Sequence, residues 1–544
     1  MAHLEKAFMN NRSSTWLAGL ALSIAASTSM AADQPPASTS PEQRCTALAG
    51  LNAPGYEVNT AQWMPASRQE GRNGAPAADV PAHCLFRVTI GARESGIPDM
   101  KFGTGIELRL PADWNRRLLF QGGGGLNGVL NPAFGNVSGF ASALARGFAV
   151  VSTDSGHRGR NSIDTRFAVD QQAKLDFAYQ AVERTTHEAK GLLQRFYGSK
   201  PEYSYFMGCS TGGREAMMAA QRLPLEFDGV VSGNASFNLT RVAANQIWSL
   251  QTVNRIAPRD AQGRPLLHEA FTDAQLKAVA EAVLKQCDAL DGLRDGMIND
   301  YKACKFDPRS QVCKAGEAGG SCLTQVQAEG LRTIFGGARN SRGESLYGNF
   351  AFDTGIATPA WRSMHLGSAT SPPANASLGR DTLREFSITP ADTALDPLKF
   401  DFDRDMVRTA ETAAINDAVA TLLTSFAGHG GKMIVYHGLS DQAMATGALT
   451  DWYERLTPRK AEGPQDWARL FLIPGMTHCA GGQSTDQFDM LTAIQDWVEK
   501  NRAPDRVVAS GRAFPGITRP LCPYPKAARY DGGDTNNAAS FSCR

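Results

Sequence analysis

The segment Gly208-Cys209-Ser210-Thr211-Gly212-Gly213 follows the apolar run YSYFM and precedes the helix-forming REAMMAAQRL. It has the G-x-S-x-G form of a nucleophile elbow, a tight strand-to-helix turn whose small residues push a serine hydroxyl into the open. A hydroxyl is a poor nucleophile until a base takes its proton, so a histidine oriented by a carboxylate must follow. On such a scaffold the order is Ser, Asp, His. Asp441, in HGLSDQAM, and His478, in PGMTHCAGG, fill those places, each just beyond an apolar strand pattern. That is the edge where α/β sheets assemble their sites. Of the nine histidines, His157 and His437 also follow apolar strands, but His157 precedes Ser210 and His437 precedes Asp441. Either would break the order, and both read as loop or core histidines. Asp451, the rival acid, falls inside a helical pattern and reads as solvated.

A run of four glycines, QGGGG at residues 121–125, ends an early strand. It exposes backbone N–H groups, and one donor of an oxyanion hole is expected from it, at Gly124, with the second from Thr211. A phosphate cradle is excluded by spacing, because no G-x-G-x-x-G opens a helix and no G-K-[ST] occurs.

The elements that must position these residues are legible on both sides of the elbow. RRLLFQ, GFAVVST, YSYFM and FDGVVSG read as strands, with helical patterns over residues 171–197 and 213–223 between them. The rhythm resumes with KMIVYHG, a helix near 449–456, RLFLIPG and a helix over 487–501. Alternation of this kind predicts an α/β fold with a doubly wound, largely parallel sheet. Between about residues 238 and 403 the rhythm fails, and the segment holds four cysteines and turn-rich stretches such as GSATSPPANASLG. We read 33–237 and 404–544 as one catalytic domain and 238–403 as an inserted lid domain.

At 544 residues with 42% hydrophobic composition the chain can bury a large core. Its 55 Lys and Arg against 54 Asp and Glu leave a net charge of +1, which gives no ground for a nucleic-acid or anionic-membrane partner. Lys6 and Arg12 precede an apolar run at 16–26 and the small residues STSMAA, the pattern of a secretory signal peptide ending near Ala31 or Ala32. Residues 1–32 are therefore expected to be removed on export, to the periplasm or outside the cell. No later run approaches the ~20 apolar residues of a membrane-spanning helix.

Ten cysteines in an exported chain form an even set, which favours disulfides over free thiols. Sequence leaves the pairing open. Cys287 with Cys304, Cys313 with Cys322 and Cys522 with Cys543 would close short loops, and Cys45 with Cys84 would staple the mature N-terminus. Cys209 and Cys479 are left, one touching Ser210 and the other His478. A bridge between them would pin the elbow to the histidine loop. In the insertion, CDALDGLRDG spaces Asp288, Asp291 and Asp295 closely, with Gly292 and Gly296 relaxing the turn. Carboxylate and carbonyl oxygens so placed suit calcium, though the spacing is not that of an EF-hand.

With GCSTGG, Ser440-Asp441, His478-Cys479, CDALDGLRDG and five cysteine pairs in view, nearly the whole mature chain resembles the tannase and feruloyl esterase family. That family also includes the enzyme that cleaves mono(2-hydroxyethyl) terephthalate. The resemblance implies an α/β-hydrolase core with a substrate-binding lid and a disulfide joining the Cys-Ser and His-Cys pairs. It also implies a structural calcium in the lid, held by Asp288, Asp291 and Asp295 with the carbonyls of Leu293 and Met297. Terephthalate-cleaving members grip a free carboxylate with a lid arginine; Arg380 and Arg384 flank that region here. Trp361, Arg384, Phe386 and Met444 are the expected substrate-binding residues. The implied function is a secreted serine esterase acting on small esters of aromatic, phenolic acids, with a mono(2-hydroxyethyl) terephthalate hydrolase as the alternative. A catalytically silent binding protein on the same scaffold is the reading from another class, and an intact triad argues against it.

Overall fold

The computed structural model describes residues 39–69, 77–316, 320–456 and 466–544; the expected signal peptide, residues 1–32, lies outside them. Nine strands make up the body of the main sheet: β1 (Tyr56–Met64), β2 (His83–Glu94), β3 (Lys101–Pro111), β4 (Arg117–Gln121), β5 (Ala149–Thr153), β6 (Tyr203–Cys209), β7 (Gly229–Gly233), β8 (Lys432–Gly438) and β9 (Ala468–Ile473). They lie in the order β1-β2-β3-β5-β4-β6-β7-β8-β9, and the short strand His157–Arg158 pairs with β3. From β5 to β9 every pairing is parallel. β1, β2 and β3 add an antiparallel flank that the strand–helix rhythm does not announce. Among the described residues no helix separates these strands, and β3 is buried along all but its first residue, so neither cue for a strand is present.

Register carries the functional consequence. Cys209 at the end of β6 pairs with Gly233 of β7, Gly233 with Tyr436 of β8, and Gly438 at the end of β8 with Ile473 of β9. Four consecutive carboxyl ends are therefore level, and the loops that leave them emerge side by side.

Buried side chains on the two faces of this sheet belong to separate apolar clusters. One includes Phe120, Phe206, Val230 and Val435, and the other Leu119, Tyr205, Val231 and Ile434. Neighbouring residues of each strand thus point to opposite layers, as the pleat requires. The helix Ala181–Tyr197 buries Leu192, Leu193 and Phe196 in the first layer, and the helix Met490–Lys500 buries Leu491, Ile494 and Trp497 in the second. The helical pattern read over 171–197 is interrupted by a single π-turn at Asp176–Gln180.

Between β7 and β8 the described residues add no strand to the main sheet. That stretch has an apolar core of its own, with Phe271, Val279, Val283, Leu331 and Trp361. The helix Leu239–Ile256 serves both cores, packing Ile247 and Leu250 into the sheet layer and Val253 into the inserted one. Burying about 25 cal/mol per Å² of apolar surface at each end fastens the insertion to the sheet. Five disulfides join Cys45 to Cys84, Cys209 to Cys479, Cys287 to Cys304, Cys313 to Cys322, and Cys522 to Cys543.

Candidate active site

Ser210 stands between the end of β6 and the helix Thr211–Arg222 with φ +62° and ψ −122°, a conformation that L-residues avoid. The turn holds because its neighbours lack side chains. A Cβ on Gly208 would lie 2.5 Å from the Gly212 backbone, and one on Gly212 would lie 2.6 Å from the Gly123 carbonyl oxygen. The Ser210 N–H donates to the Gly233 carbonyl at 2.9 Å, which anchors the elbow to the next strand. Cys479 is also at positive φ, +68°, and its bridge to Cys209 closes a sequence separation of 270 residues. The residue before the serine and the residue after the histidine are thus one bond apart.

His478 Nδ1 donates to Asp441 Oδ2 at 2.8 Å. The carboxylate is buried, and its other partners are the N–H groups of Ala443 at 2.8 Å and Met444 at 3.0 Å and the Asn234 amide at 2.6 Å. Burial alone would raise the Asp441 pKa; the charge and hydrogen bond of His478, with the Asn234 donor, outweigh it and hold the group down to about 2. Burial works the other way on His478, where the Asp441 charge and hydrogen bond win and raise it above the ordinary histidine value. Only Nδ1 is engaged by the acid, which leaves Nε2 for the serine proton.

At the glycine loop, Gly123 N–H is spent on Glu215 at 2.9 Å, and Gly212 N–H is spent on the Gly123 carbonyl at 3.1 Å. The N–H groups of Gly124 and Thr211 have no acceptor among the described residues. Thr211 is the first residue of its helix, so its free N–H is also at the positive end of the helix dipole. Two unspent donors beside the serine suit an oxyanion.

The rival histidines are core residues. His437 is fully buried, donates from Nε2 to the Met444 carbonyl at 3.1 Å, and is held below its usual pKa by burial. His157 stacks on Phe167 at 3.9 Å, and burial lowers it to about 4.

Of the expected substrate-binding residues, Trp361 lines one small cavity together with Asp441, His365 and Ser440. Met444 is buried directly beside the acid. Arg384 is half-buried, with no hydrogen-bond partner for Nε among the described residues, whereas Arg380 is bound to Asp381 at 2.6 Å. Phe386 is fully buried in a cluster of rings, 5.3 Å from Phe177 and 6.0 Å from Phe167, and packs the core. Two neighbours of the triad escaped the sequence reading. Asn234 follows a strand end, like Asp441, and that position was its only signal. Glu215, which holds Gly123 N–H and the Asn127 amide, gives none, because on a helix it reads as solvated.

In the acidic loop each carboxylate turns to nearby N–H groups. Asp288 accepts from Asp295 and Gly296, Asp291 from Leu293 and Asn299, and Asp295 from Met297. Asp295 also forms a buried ion pair with Arg519 at 2.6 Å. Among the described residues no three His, Cys, Asp or Glu side chains gather closely enough to hold a metal. The donor chemistry still suits a cation, since burial first, with neighbouring carboxylates adding, raises Asp291 to about 6 and raises Asp295. The types fit calcium; the placement of Asp295 on Arg519 does not.

The sequence pattern of tannase and feruloyl esterase matches residues 89–544. The chain belongs to the tannase and feruloyl esterase family. It is 39% identical to the mono(2-hydroxyethyl) terephthalate hydrolase of Piscinibacter sakaiensis over 89% of this chain and 88% of that one. It is 30% identical to a probable feruloyl esterase B-1 of Aspergillus oryzae over 80% of each. The crystal structure of feruloyl esterase B from Aspergillus oryzae superposes with a TM-score of 0.77 at 26% identity, covering 93% of this chain and all of that one. The tannin acyl hydrolase of Aspergillus niger, at 22% identity and a TM-score of 0.70, shares the fold. This family member is an α/β-fold carboxylic ester hydrolase that acts on small-molecule esters.

Proposed function

We propose that the protein hydrolyses esters of aromatic, phenolic acids through an acyl-enzyme on Ser210. The observation that carries the mechanism is the pairing of Asp441 and His478 at 2.8 Å beside an elbow disulfide-bonded to the histidine loop. His478 Nε2 takes the Ser210 proton as Oγ bonds to the ester carbonyl carbon, and the carbonyl electron pair moves onto oxygen, where Gly124 and Thr211 N–H groups receive it. Collapse expels the alcohol, protonated by His478; water then repeats the sequence and releases the acid. Asp441 stays ionised throughout and fixes the Nδ1–H tautomer.

Residues 238–403 act as the lid over this edge, and the mature chain is exported. Disulfides account for every cysteine of the described residues, which suits an oxidising compartment. No described helix is long and apolar enough to cross a membrane. Calcium in the loop at 288–297 is a structural proposal on donor chemistry, and no catalytic step passes through it.

A second reading, cleavage of a terephthalate monoester, is favoured by Arg384. Its neighbour Glu385 accepts from Thr165, and Ser162 of that same segment accepts from the N–H of Leu126 at the end of the glycine loop. An arginine whose buried Nε has no hydrogen-bond partner among the described residues suits a substrate carboxylate. Methyl ferulate, methyl gallate and mono(2-hydroxyethyl) terephthalate, assayed side by side on wild type and Arg384→Ala, separate the readings. A phenolic-acid esterase prefers one of the methyl esters and is indifferent to the substitution. A terephthalate monoesterase prefers the third substrate and loses it in the variant. No hydrolysis of any of them overturns both.

A further inference from the structure

Asp353 lies in the insertion, far in sequence from the triad, and caps the short 3-10 helix Thr354–Ala357. It is 3% exposed. One carboxylate oxygen accepts from Thr354 N–H at 2.7 Å, and the other crosses 122 residues to accept from Gly475 N–H at 2.7 Å. Gly475 opens the loop that ends in His478. Two residues on from Asp353, Gly355 N–H donates to Oγ of Ser440, the neighbour of Asp441, at 2.9 Å. Only glycine permits this approach, because a Cβ at position 355 would lie 2.4 Å from the Ser440 side chain.

Two further contacts from the insertion fall on the acid loop. His365 Nε2 donates to the Gln442 carbonyl at 3.1 Å, and Ala445 N–H donates to the Tyr347 hydroxyl at 3.0 Å. Gln442 in turn accepts the His478 N–H on its side-chain oxygen at 3.4 Å. A segment of the insertion, residues 347–365, therefore touches both loops that must meet. Burying a carboxylate costs several kcal/mol unless it is well compensated. Asp353 has no ion pair among the described residues; the N–H groups of Thr354 and Gly475 compensate it, and Gly475 belongs to the His478 loop, while Gly355 of the same short segment holds Ser440 of the Asp441 loop.

We propose that Asp353 is a positioning residue for the ester hydrolysis: its carboxylate ties the His478 loop to the segment that, through Gly355, holds the Asp441 loop, and so sets the His478–Asp441 hydrogen bond. The proposal rests on the triad reading above. It assigns the insertion a part in catalysis beyond covering substrate, since the brace acts on the loops that carry Asp441 and His478.

The test is Asp353→Asn, which keeps size while turning an amide NH₂ toward one of two N–H donors. The expected result is a fall in kcat of roughly tenfold to a hundredfold with KM within about twofold, the scale of a small misplacement of reacting groups. The downfield Nδ1 proton resonance of His478 should shift or vanish, which loss of packing elsewhere would not cause. Unchanged kcat in a folded variant, an unchanged resonance, or a loss confined to KM overturns the proposal. If the variant does not fold, Ser440→Ala decides: a several-fold lower kcat at the wild-type melting temperature supports the brace, and wild-type kcat overturns it. Ser210→Ala assayed beside them separates the two readings. Activity surviving there sinks the triad, whereas its loss with a silent Asp353→Asn sinks only the brace.

Discussion

The catalytic edge and the acidic loop of the insertion look alike in sequence, each a set of chemically able residues beside glycines and cysteines, yet they fold to opposite ends. At the edge, residues separated by 207 positions, Asn234 and Asp441, come within 2.6 Å. In the loop at 288–297, three carboxylates within eight positions turn to nearby N–H groups, Asp295 adding the distant Arg519, and do not converge. The difference lies in what does the positioning. Parallel strands in fixed register leave their end groups facing one another, whereas a short loop satisfies its carboxylates with the nearest N–H groups unless something stronger collects them. Breaking the edge should therefore cost turnover, and breaking the loop should cost stability.

The largest effect expected is that of Ser210→Ala. Loss of the nucleophile should lower kcat by at least about a thousandfold and leave only what the oxyanion donors and binding supply, with melting unchanged. Steady-state kinetics and a thermal melt check this. Activity above about a tenth of wild type would place the chemistry elsewhere.

Next comes the bridge. Replacing Cys209 and Cys479 together by Ala leaves Ser210, Asp441 and His478 in place but lets the histidine loop find the elbow by packing alone. A misplacement near 1 Å is worth about a hundredfold in rate. Loss of the cross-link should also destabilise the fold by roughly 2–5 kcal/mol. Wild-type kcat and an unchanged denaturation midpoint would show that strand register suffices to hold the edge.

Asn234→Ala should do less, about tenfold in kcat, since one hydrogen bond to a charged group contributes roughly 1.5–3 kcal/mol. The pH profile sharpens it. His478 must be neutral to take the proton, and its pKa is raised, so kcat/KM should fall on acidification with a midpoint above the ordinary histidine value. Asp441→Asn should move that midpoint down. For stability the signs differ: the raised His478 contributes below about pH 6.5 and is lost as pH rises through its folded value. The depressed Asp441 contributes above about pH 4 and is lost as pH falls toward about 2. An acid limb that does not move in Asp441→Asn would unlink the pair.

The same contrast marks what could be read from residues alone. The parallel half of the sheet was legible because β4 to β9 are buried runs ending in turn residues, and the His478–Asp441 pair of the proposed triad was legible because both residues sit at those ends in a fixed chain order. The antiparallel flank was hidden, since Glu107 and Arg109 of β3 pair with each other at 2.7 Å inside the sheet and disguise its buried face. Asp353 was hidden for a related reason: its partner Gly475 is a backbone group, which any residue could supply. The packing of Phe386 was hidden because proximity to Arg384 in sequence says nothing of the side to which each residue of a π-turn points.

The smallest effect tests the other half of the comparison. If calcium binds the loop at 288–297, it binds the folded chain only and stabilises it by mass action, so a chelator should lower the melting temperature by a few degrees. Turnover by the still-folded enzyme should barely change, because no reacting group contacts the ion. Asp291→Asn gives the decisive pairing with this measurement. Burial already holds that carboxyl up to about 6, so neutralising it without an ion would relieve a cost, whereas with an ion it removes a ligand. The substitution should therefore destabilise the protein in calcium and leave it equal or more stable in chelator. The same shift in both conditions, with no calcium found by elemental analysis, would mean that Arg519 on Asp295 is the only cation this loop needs.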